Sequence, residues 1–334
     1  MKIDKIMAKK KFNLFEIFNP TKDGKGVKKT SYGDGWGKRD APTFFKMYIE
    51  NLGRLLSVNI YMVLGNFPLF FGLFAMGGYL NKHTTAPSSQ LFGPVFGVFK
   101  INPGNPAISA LMGVHGIQTE LSVNTTATLI LFGLSGLALF TWGYVSVGTT
   151  YILRNIVKAE PIFMWDDFWY AIKRNLFQGM VVGILDVLFM GLLAYDVVFF
   201  YYNIGPFLNN VMFYFSILVS VIYFLMRFYI YILLITFNLK LRHIYKNAFI
   251  FSILNFKRNA LALLGIVALV ATNYALFIMY IPIGIILPFI ITLATGAFIA
   301  AYAAYPKIKE IMIDPYVDEK EDEIKEEPIF RDMG

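Results

Sequence analysis

The chain has 334 residues, of which 57% are hydrophobic and 16% charged, whereas soluble domains carry about a quarter charged residues. This apolar excess excludes an ordinary water-soluble fold and indicates a membrane protein. The absence of cysteine excludes disulfides, thiolate metal sites and cysteine nucleophiles. The net charge of +8 is unevenly distributed, with 13 basic and 6 acidic residues in 1–54 but 5 and 10 in 306–334.

The two ends of the chain are predicted to lie outside the membrane core. Residues 1–43 form a basic cytoplasmic segment with a mobile linker. Their lysines have anionic lipid headgroups as the nearest polyanion, so the predicted partner is the lipid bilayer and no nucleic acid. Residues 306–334 are dominated by Asp and Glu, which predicts a disordered cytoplasmic tail.

Six apolar runs lie in residues 44–305, each close to the ~20 residues that cross a ~30 Å hydrocarbon core. They are 55–80, 127–152, 176–202, 210–238, 260–280 and 283–305. The pattern predicts an all-α membrane protein, a bundle of about six transmembrane helices with short cytoplasmic amphipathic helices. A turn at Ile281 and Pro282 predicts that the last two runs form a hairpin or one kinked re-entrant unit. Residues 81–126 are predicted to be a compact outer loop.

Basic residues between the runs set the predicted orientation, because cytoplasmic loops accumulate Lys and Arg. The loops after the second and fourth runs hold Arg154, Lys158, Lys173, Arg174, Lys240, Arg242, Lys246, Lys257 and Arg258. Both termini are therefore predicted to be cytoplasmic. The two loops also resemble each other, with 153–158 matching 241–246 and Lys173-Arg174-Asn175 matching Lys257-Arg258-Asn259. This predicts either an internal repeat or convergence of two basic loops.

One acidic and one basic residue lie inside predicted spans. Asp186 is ten residues from the start of the third run, and Arg227 is eleven residues from the end of the fourth. At 1.5 Å per residue both lie about 15 Å deep, and consecutive spans are antiparallel neighbours. We therefore predict an intramembrane ion pair, with a structural role favoured over a substrate or proton site.

The first basic loop contains an amphipathic pattern. Trp165, Phe168, Trp169 and Ile172 recur at i, i+3, i+4 and i+7, which predicts a short helix. This helix either lies in the inner membrane interface or caps the bundle. In the next span, Gly179 and Gly183 form a GxxxG pattern, which favours close packing within the bundle over a dimer contact.

Motifs from the end of the second span to the start of the third resemble the signature of the YesL-like family of bacterial membrane proteins. These motifs are Gly148-Thr-Thr-Tyr-Ile-Leu-Arg-Asn155, Trp165-Asp-Asp-Phe168 and Lys173-Arg-Asn-Leu-Phe-Gln-Gly179. Asn59, Pro68 and Lys246-Asn-Ala-Phe249 extend the resemblance over about 44–305. The chain departs from the family in residues 81–126, because family members run almost directly from their first span into the second.

The resemblance implies a bacterial plasma-membrane protein of unknown biochemical function, whose relatives are often encoded beside carbohydrate importers. No Walker A, GxGxxG, HExxH or GxSxG motif occurs, so we expect no catalytic residue, cofactor or metal site. The expected function is an accessory or regulatory role in oligosaccharide uptake, with an ABC-type sugar importer as a candidate partner. The alternative is a transporter or channel in its own right.

Overall fold

The structure is a computed structural model that describes residues 40–315. The predictions for the basic head up to residue 39 and for the tail from residue 316 lie outside this range. The helices are α1 (Ala41–Glu50), α2 (Leu52–Gly65), α3 (Pro68–Met76), α4 (Phe92–Ile101), α5 (Pro106–His115), α6 (Thr126–Ser135), α7 (Ala138–Lys158), α8 (Met164–Arg174), α9 (Leu176–Tyr202), α10 (Phe207–Thr236), α11 (Leu241–Leu254), α12 (Phe256–Met279), α13 (Ile281–Leu287) and α14 (Leu293–Met312). The strands are β1 (Lys82–Pro87) and β2 (Gln118–Val123).

The predicted all-α membrane bundle is confirmed. Within residues 40–315, five runs are long and apolar enough to cross a membrane, and the pair α2–α3 makes a sixth if it is one broken span. The five are α6 with α7, α9, α10, α12, and α13 with α14. Since α13 and α14 continue into one another, the last two predicted runs form a hairpin, with α12 as its first arm and α13–α14 as its second. The final helix continues through Pro306 to Met312, beyond the predicted end at residue 305.

The first span differs from the single helix predicted for 55–80, because it bends by 64° between α2 and α3. Pro68 opens α3 and has no N–H to continue the hydrogen bonding of α2. A second irregular segment, the π-helical turn Pro288–Thr292, joins α13 to α14. The buried amide of Asn59 donates to the Pro288 carbonyl and accepts from the Ala294 N–H, so α2 stabilises this turn.

An asparagine ends a short helix and precedes a span at three junctions within the described chain. Asn51, Asn175 and Asn255 have similar backbone angles, with φ between −100 and −118° and ψ between 15 and 31°. The side-chain amides of Asn51 and Asn175 each donate 2.9 Å to a carbonyl four residues earlier. Residues four before and four after each asparagine are buried. We infer an internal repeat of a short helix, a span that leads away from the junction end of the bundle, here called the outward span, and a returning span.

Three units follow from this repeat in residues 40–315, namely α1–α7, α8–α10 and α11–α14. The last helices of the units, α7, α10 and α14, contact one another in the middle of the bundle. The helices after the junctions lie outside this triangle. Each of α2 and α9 packs on the returning helix of its own unit and on that of a neighbouring unit, whereas α12 packs mainly on α13 and α14.

The repeat has a different register from the one that the basic loops predict. The structure equates Asn175 with Asn255, whereas the sequence match pairs Asn175 with Asn259, which lies one turn inside α12. The other matched pair is also not equivalent, since 153–158 ends α7 and 241–246 begins α11. The likeness of the loops is therefore convergence, because charge accumulates at this end of the bundle regardless of register.

Residues 81–126 contain regular structure that the sequence analysis did not predict. The strands β1 and β2 are antiparallel, with Lys82 opposite Val123 and Pro87 opposite Gln118. The helices α4 and α5 lie between them in sequence and pack on each other. Neither helix contains a buried residue, so this segment is a small projection on the bundle.

Candidate functional site

The candidate site is centred on Asp186, whose side chain is 1% exposed on α9. Side chains from α7 and α10 donate hydrogen bonds to its two oxygens. Trp142 Nε1 lies 2.9 Å from Oδ2, and the hydroxyls of Tyr223 and Tyr231 lie 3.0 Å from Oδ1 and Oδ2. Arg227 Nε lies 2.9 Å from Oδ1 and 3.2 Å from Oδ2. The structure thus brings the predicted pair together within a larger network.

The network supplies hydrogen-bond donors to both oxygens of Asp186. Trp142 and Arg227 have N–H donors and no acceptor, so both require a lone pair on the aspartate. The positive charge of Arg227 compensates the negative charge where water is scarce. This arrangement fits a structural pair that joins α7, α9 and α10.

The three aromatic donors, Trp142, Tyr223 and Tyr231, were not predicted from the sequence. Tyr223, Arg227 and Tyr231 lie at i, i+4 and i+8 on α10, so they share one helix face. Hydroxyl groups one turn on either side of an arginine inside a predicted span are a pattern that could have been recognised. Trp142 had no comparable signal, because it comes from a helix distant in sequence.

Glycines allow the helix that carries Trp142 to approach Asp186. A Cβ at Gly143 would meet the Gly179 carbonyl and, at 2.9 Å, the Gly183 Cα. A Cβ at Gly183 would collide with the Gly143 backbone in the same way. The GxxxG pattern therefore makes a close contact of α9 with α7 inside the chain, as the packing interpretation predicts.

A cavity of about 550 Å³ lies next to this network. Its walls come from α2, α3, α7, α10, α12 and α14, and they are mainly apolar. Arg227, which is 21% exposed, is a lining residue together with Trp142 and Tyr231. Across the cavity, Ile266 and Leu269 of α12 lie opposite this face of α10. The cavity volume falls in the range typical of small-molecule sites.

A further hydroxyl near the network belongs to Tyr245 on α11. Its oxygen is buried near the Tyr223 hydroxyl and makes no hydrogen bond to Asp186. Burial, and next the negative charge of Asp186, raise the pKa of Tyr245 to about 12. The phenol is therefore neutral at physiological pH.

The four residues predicted for the amphipathic helix lie on α8, but their environments differ. Phe168 and Ile172 are both 7% exposed and pack on the bundle, where the Phe168 ring covers Gly148. Trp165 and Trp169 are 60% and 40% exposed. One edge of the stripe therefore caps the bundle, and the other faces outward, where interfacial insertion remains a prediction.

The predicted basic loop residues divide into two groups. Arg154 is buried in α7, not in a loop, and donates to Thr236 Oγ1 at 3.2 Å and to Asn155 Oδ1. Arg258 donates to the Tyr302 carbonyl, which has no i+4 partner because residue 306 is proline. Lys158 pairs with Glu160. The exposed members are Lys173, Arg174, Lys240, Arg242, Lys246 and Lys257.

Histidine and carboxylate side chains do not converge on a metal site within residues 40–315. The His115 ring lies 2.8 Å from the Ser89 hydroxyl in the 81–126 projection. Asp186 is enclosed by donors, and the cation beside it is Arg227. The site is thus a network of hydrogen bonds beside a cavity.

The comparison with known protein families covers the first part of this site. Residues 123–197 match DUF624, a family described as protein of unknown function. The likeness to this family is shown for residues 123–197, less than a quarter of the chain. Within the match lie Trp142, α8 and Asp186, whereas Arg227 and its neighbouring tyrosines follow it. YesL-like proteins belong to this family, so the match supports the predicted resemblance at family level. No curated protein and no solved structure matches the chain.

Proposed function

We propose that this integral membrane protein is a non-enzymatic accessory or regulatory component of carbohydrate uptake. In this proposal it is a YesL-like protein of the bacterial plasma membrane with both termini in the cytoplasm, and it binds an ABC-type sugar importer. The resemblance to the YesL-like family supports the link to carbohydrates. The charge of the loops supports the orientation.

One surface carries the proposal for a protein partner. At the end of the bundle where α8 and α11 lie, Trp169 and Phe249 are exposed next to Lys173 and Lys246. These two aromatic residues occupy equivalent positions of the repeat, six residues before Asn175 and Asn255. Aromatic residues and arginine are enriched where proteins bind one another, and Arg174 is exposed on the same helix as Trp169. We call this surface the basic end.

The chemistry of the cavity supports an accessory role over a sugar transporter. A carbohydrate has a hydroxyl on most carbons, and each needs a hydrogen-bond partner when it leaves water. The cavity walls are mainly apolar. A transporter of another substrate is the second candidate, favoured by the cavity beside Arg227. Flux into proteoliposomes that contain this protein alone would support that candidate.

Co-purification at native expression levels tests the accessory role. Membranes are cross-linked, the tagged full-length protein is isolated, and co-isolated proteins are quantified by mass spectrometry. We expect a permease subunit of a sugar importer to be enriched. The charge reversals Lys173→Glu and Arg174→Glu should together reduce its recovery about tenfold, as expected for loss of about 1.4 kcal/mol of binding free energy.

The matched control reverses charges at the opposite end. Lys82→Glu and Lys100→Glu lie on the 81–126 projection and should leave recovery unchanged. Equal loss with both pairs of reversals would contradict a docking surface at the basic end. Recovery of no importer subunit with the wild-type protein would contradict the link to carbohydrate uptake.

A further inference from the structure

The cavity between the spans combines an apolar wall with a group of polar side chains whose hydrogen bonds are mostly made. The Thr149 hydroxyl donates to the Val145 carbonyl at 2.6 Å, and Asn66 Nδ2 donates to the Met62 carbonyl at 3.0 Å. The Thr292 hydroxyl donates to another side-chain amide. These groups are satisfied by their own helices or neighbours, so they add little polarity to the wall.

Arg227 is different, because part of its guanidinium is available to the cavity. Its hydrogen bonds to the described residues come from Nε, which faces Asp186. The guanidinium also lies 5.8 Å from the centroid of the Trp142 ring. A guanidinium has five N–H donors, so four on the terminal nitrogens are left for a molecule in the cavity.

The charge balance limits what that molecule can be. Arg227 and Asp186 neutralise each other, so an anion that joined them would leave a net negative charge in a region of low dielectric constant. An uncharged acceptor, such as a carbonyl or hydroxyl oxygen, satisfies the terminal donors without this cost. The apolar walls formed by Phe228, Ile266 and Leu269 suit a hydrocarbon chain.

The repeat explains why the space lies at this position. In the other two units of the described chain, the outward helix packs closely on the returning helix of a neighbouring unit. Gly183 against Gly143 is one such contact, and Asn59 against Ala294 is the other. The corresponding outward helix of the third unit is α12, and the cavity separates part of it from α10. The cavity thus lies where the third contact of the repeat would be.

We propose that this cavity is a binding site for an uncharged lipid-like molecule. Its hydrocarbon chain lies between α10, α12 and α14, and its one polar group accepts hydrogen bonds from the terminal nitrogens of Arg227. A neutral acylglycerol is a suitable representative of this class. Fatty acids, which carry a charge, and oligosaccharides, which need many polar partners, bind less well.

Photolabelling tests the proposal with defined probes. Purified full-length protein in phosphatidylcholine nanodiscs is irradiated with a diazirine-bearing monoacylglycerol, and the labelled peptides are identified by mass spectrometry. We expect label in 224–232 of α10 and 266–270 of α12. A diazirine-bearing fatty acid of the same chain length should label these peptides at least about fivefold less, a difference of about 1 kcal/mol. Excess maltotriose should not reduce labelling by the monoacylglycerol probe.

Two variants fill the cavity from two neighbouring walls. Ala297→Phe on α14 and Ile266→Trp on α12 should each reduce monoacylglycerol labelling at least about fivefold, about 1 kcal/mol of binding. Ala268→Phe is the matched control, because Ala268 is exposed on α12 and does not line the cavity. If one filling variant does not fold, the other decides the result.

Arg227→Lys tests the polar contact. Lysine keeps the charge that Asp186 requires but lacks the terminal fork of guanidinium donors. It should therefore weaken the preference for the neutral probe while the protein stays folded. Equal labelling of the α9 face that points away from the bundle would overturn the proposal, because it would indicate contact with bulk lipid. Labelling that is insensitive to both filling variants, or equal for the two probes, would also overturn it.

Discussion

Replacing Asp186 by asparagine removes the charge at the centre of the buried network and keeps the size of the side chain. Trp142, Tyr223 and Tyr231 then face one amide oxygen and one NH₂ group, in place of two acceptor oxygens. Arg227 loses the carboxylate that lies 2.9 Å from its Nε. The variant therefore leaves a cation without its counter-ion inside the bundle.

The expected loss of unfolding free energy follows from the number of hydrogen-bond donors that remain around position 186. Removal of one partner of a buried ion pair costs about 3–5 kcal/mol, and an amide oxygen that still accepts from part of the network places Asp186→Asn near 3 kcal/mol. Arg227→Gln should cost about 2 kcal/mol, because three uncharged donors still solvate the carboxylate. If the pair is coupled, the double variant should lose about 3 kcal/mol rather than about 5.

The measurement is the free energy of unfolding in mixed micelles, obtained for the wild type, both single variants and the double variant. A coupling energy of about 2 kcal/mol is the expected result. Losses that add within about 0.5 kcal/mol would show that the two side chains do not interact. Exchanging the two charges is a poorer test, because Arg at position 186 would face Trp142, which has no acceptor.

Two further substitutions test how the network is enclosed. Gly183→Ala should clearly reduce the unfolding temperature, because the added Cβ would collide with the Gly143 backbone. Its control is Gly191→Ala on the same helix, where the added Cβ meets open space and the unfolding temperature should not change. Tyr231→Phe should cost about 1–2 kcal/mol of unfolding free energy by removing a donor to Asp186. Tyr245→Phe removes a hydroxyl that makes no hydrogen bond to Asp186 and should cost less. Equal effects within either matched pair would contradict the packing and hydrogen bonds described above.

Helical periodicity and depth predicted much of the site, but contacts between distant helices were not predictable. The position of Asp186 and Arg227 along their spans was enough to place them together, since antiparallel neighbours of known rise have few relative positions. The contribution of Trp142 depends on the glycine contact between α7 and α9. A single sequence does not specify which helix packs against that contact.

Other differences have local physical causes. Pro68 breaks the first span, and the sequence analysis used it only as part of a resemblance. The predicted repeat was aligned on charged residues, whereas the register in the structure follows from the buried positions around Asn175 and Asn255. Charge at the end of a bundle tolerates shifts of several residues, whereas a buried face shifted by one residue rotates by about 100°. The strands β1 and β2 were missed because Thr and Pro at their positions also suit loops.

The repeat and the orientation can be tested together by cysteine labelling, since the chain contains no cysteine of its own. Single cysteines are introduced at Glu50, Lys173 and Lys257, one beside each junction asparagine, and at Gly104 in the 81–126 projection. An impermeant maleimide should label the cysteine at position 104 in intact cells. The other three should react only after the membrane is permeabilised. Labelling of any of these three from outside, at the rate of position 104, would contradict a bundle whose three units all begin on the cytoplasmic side.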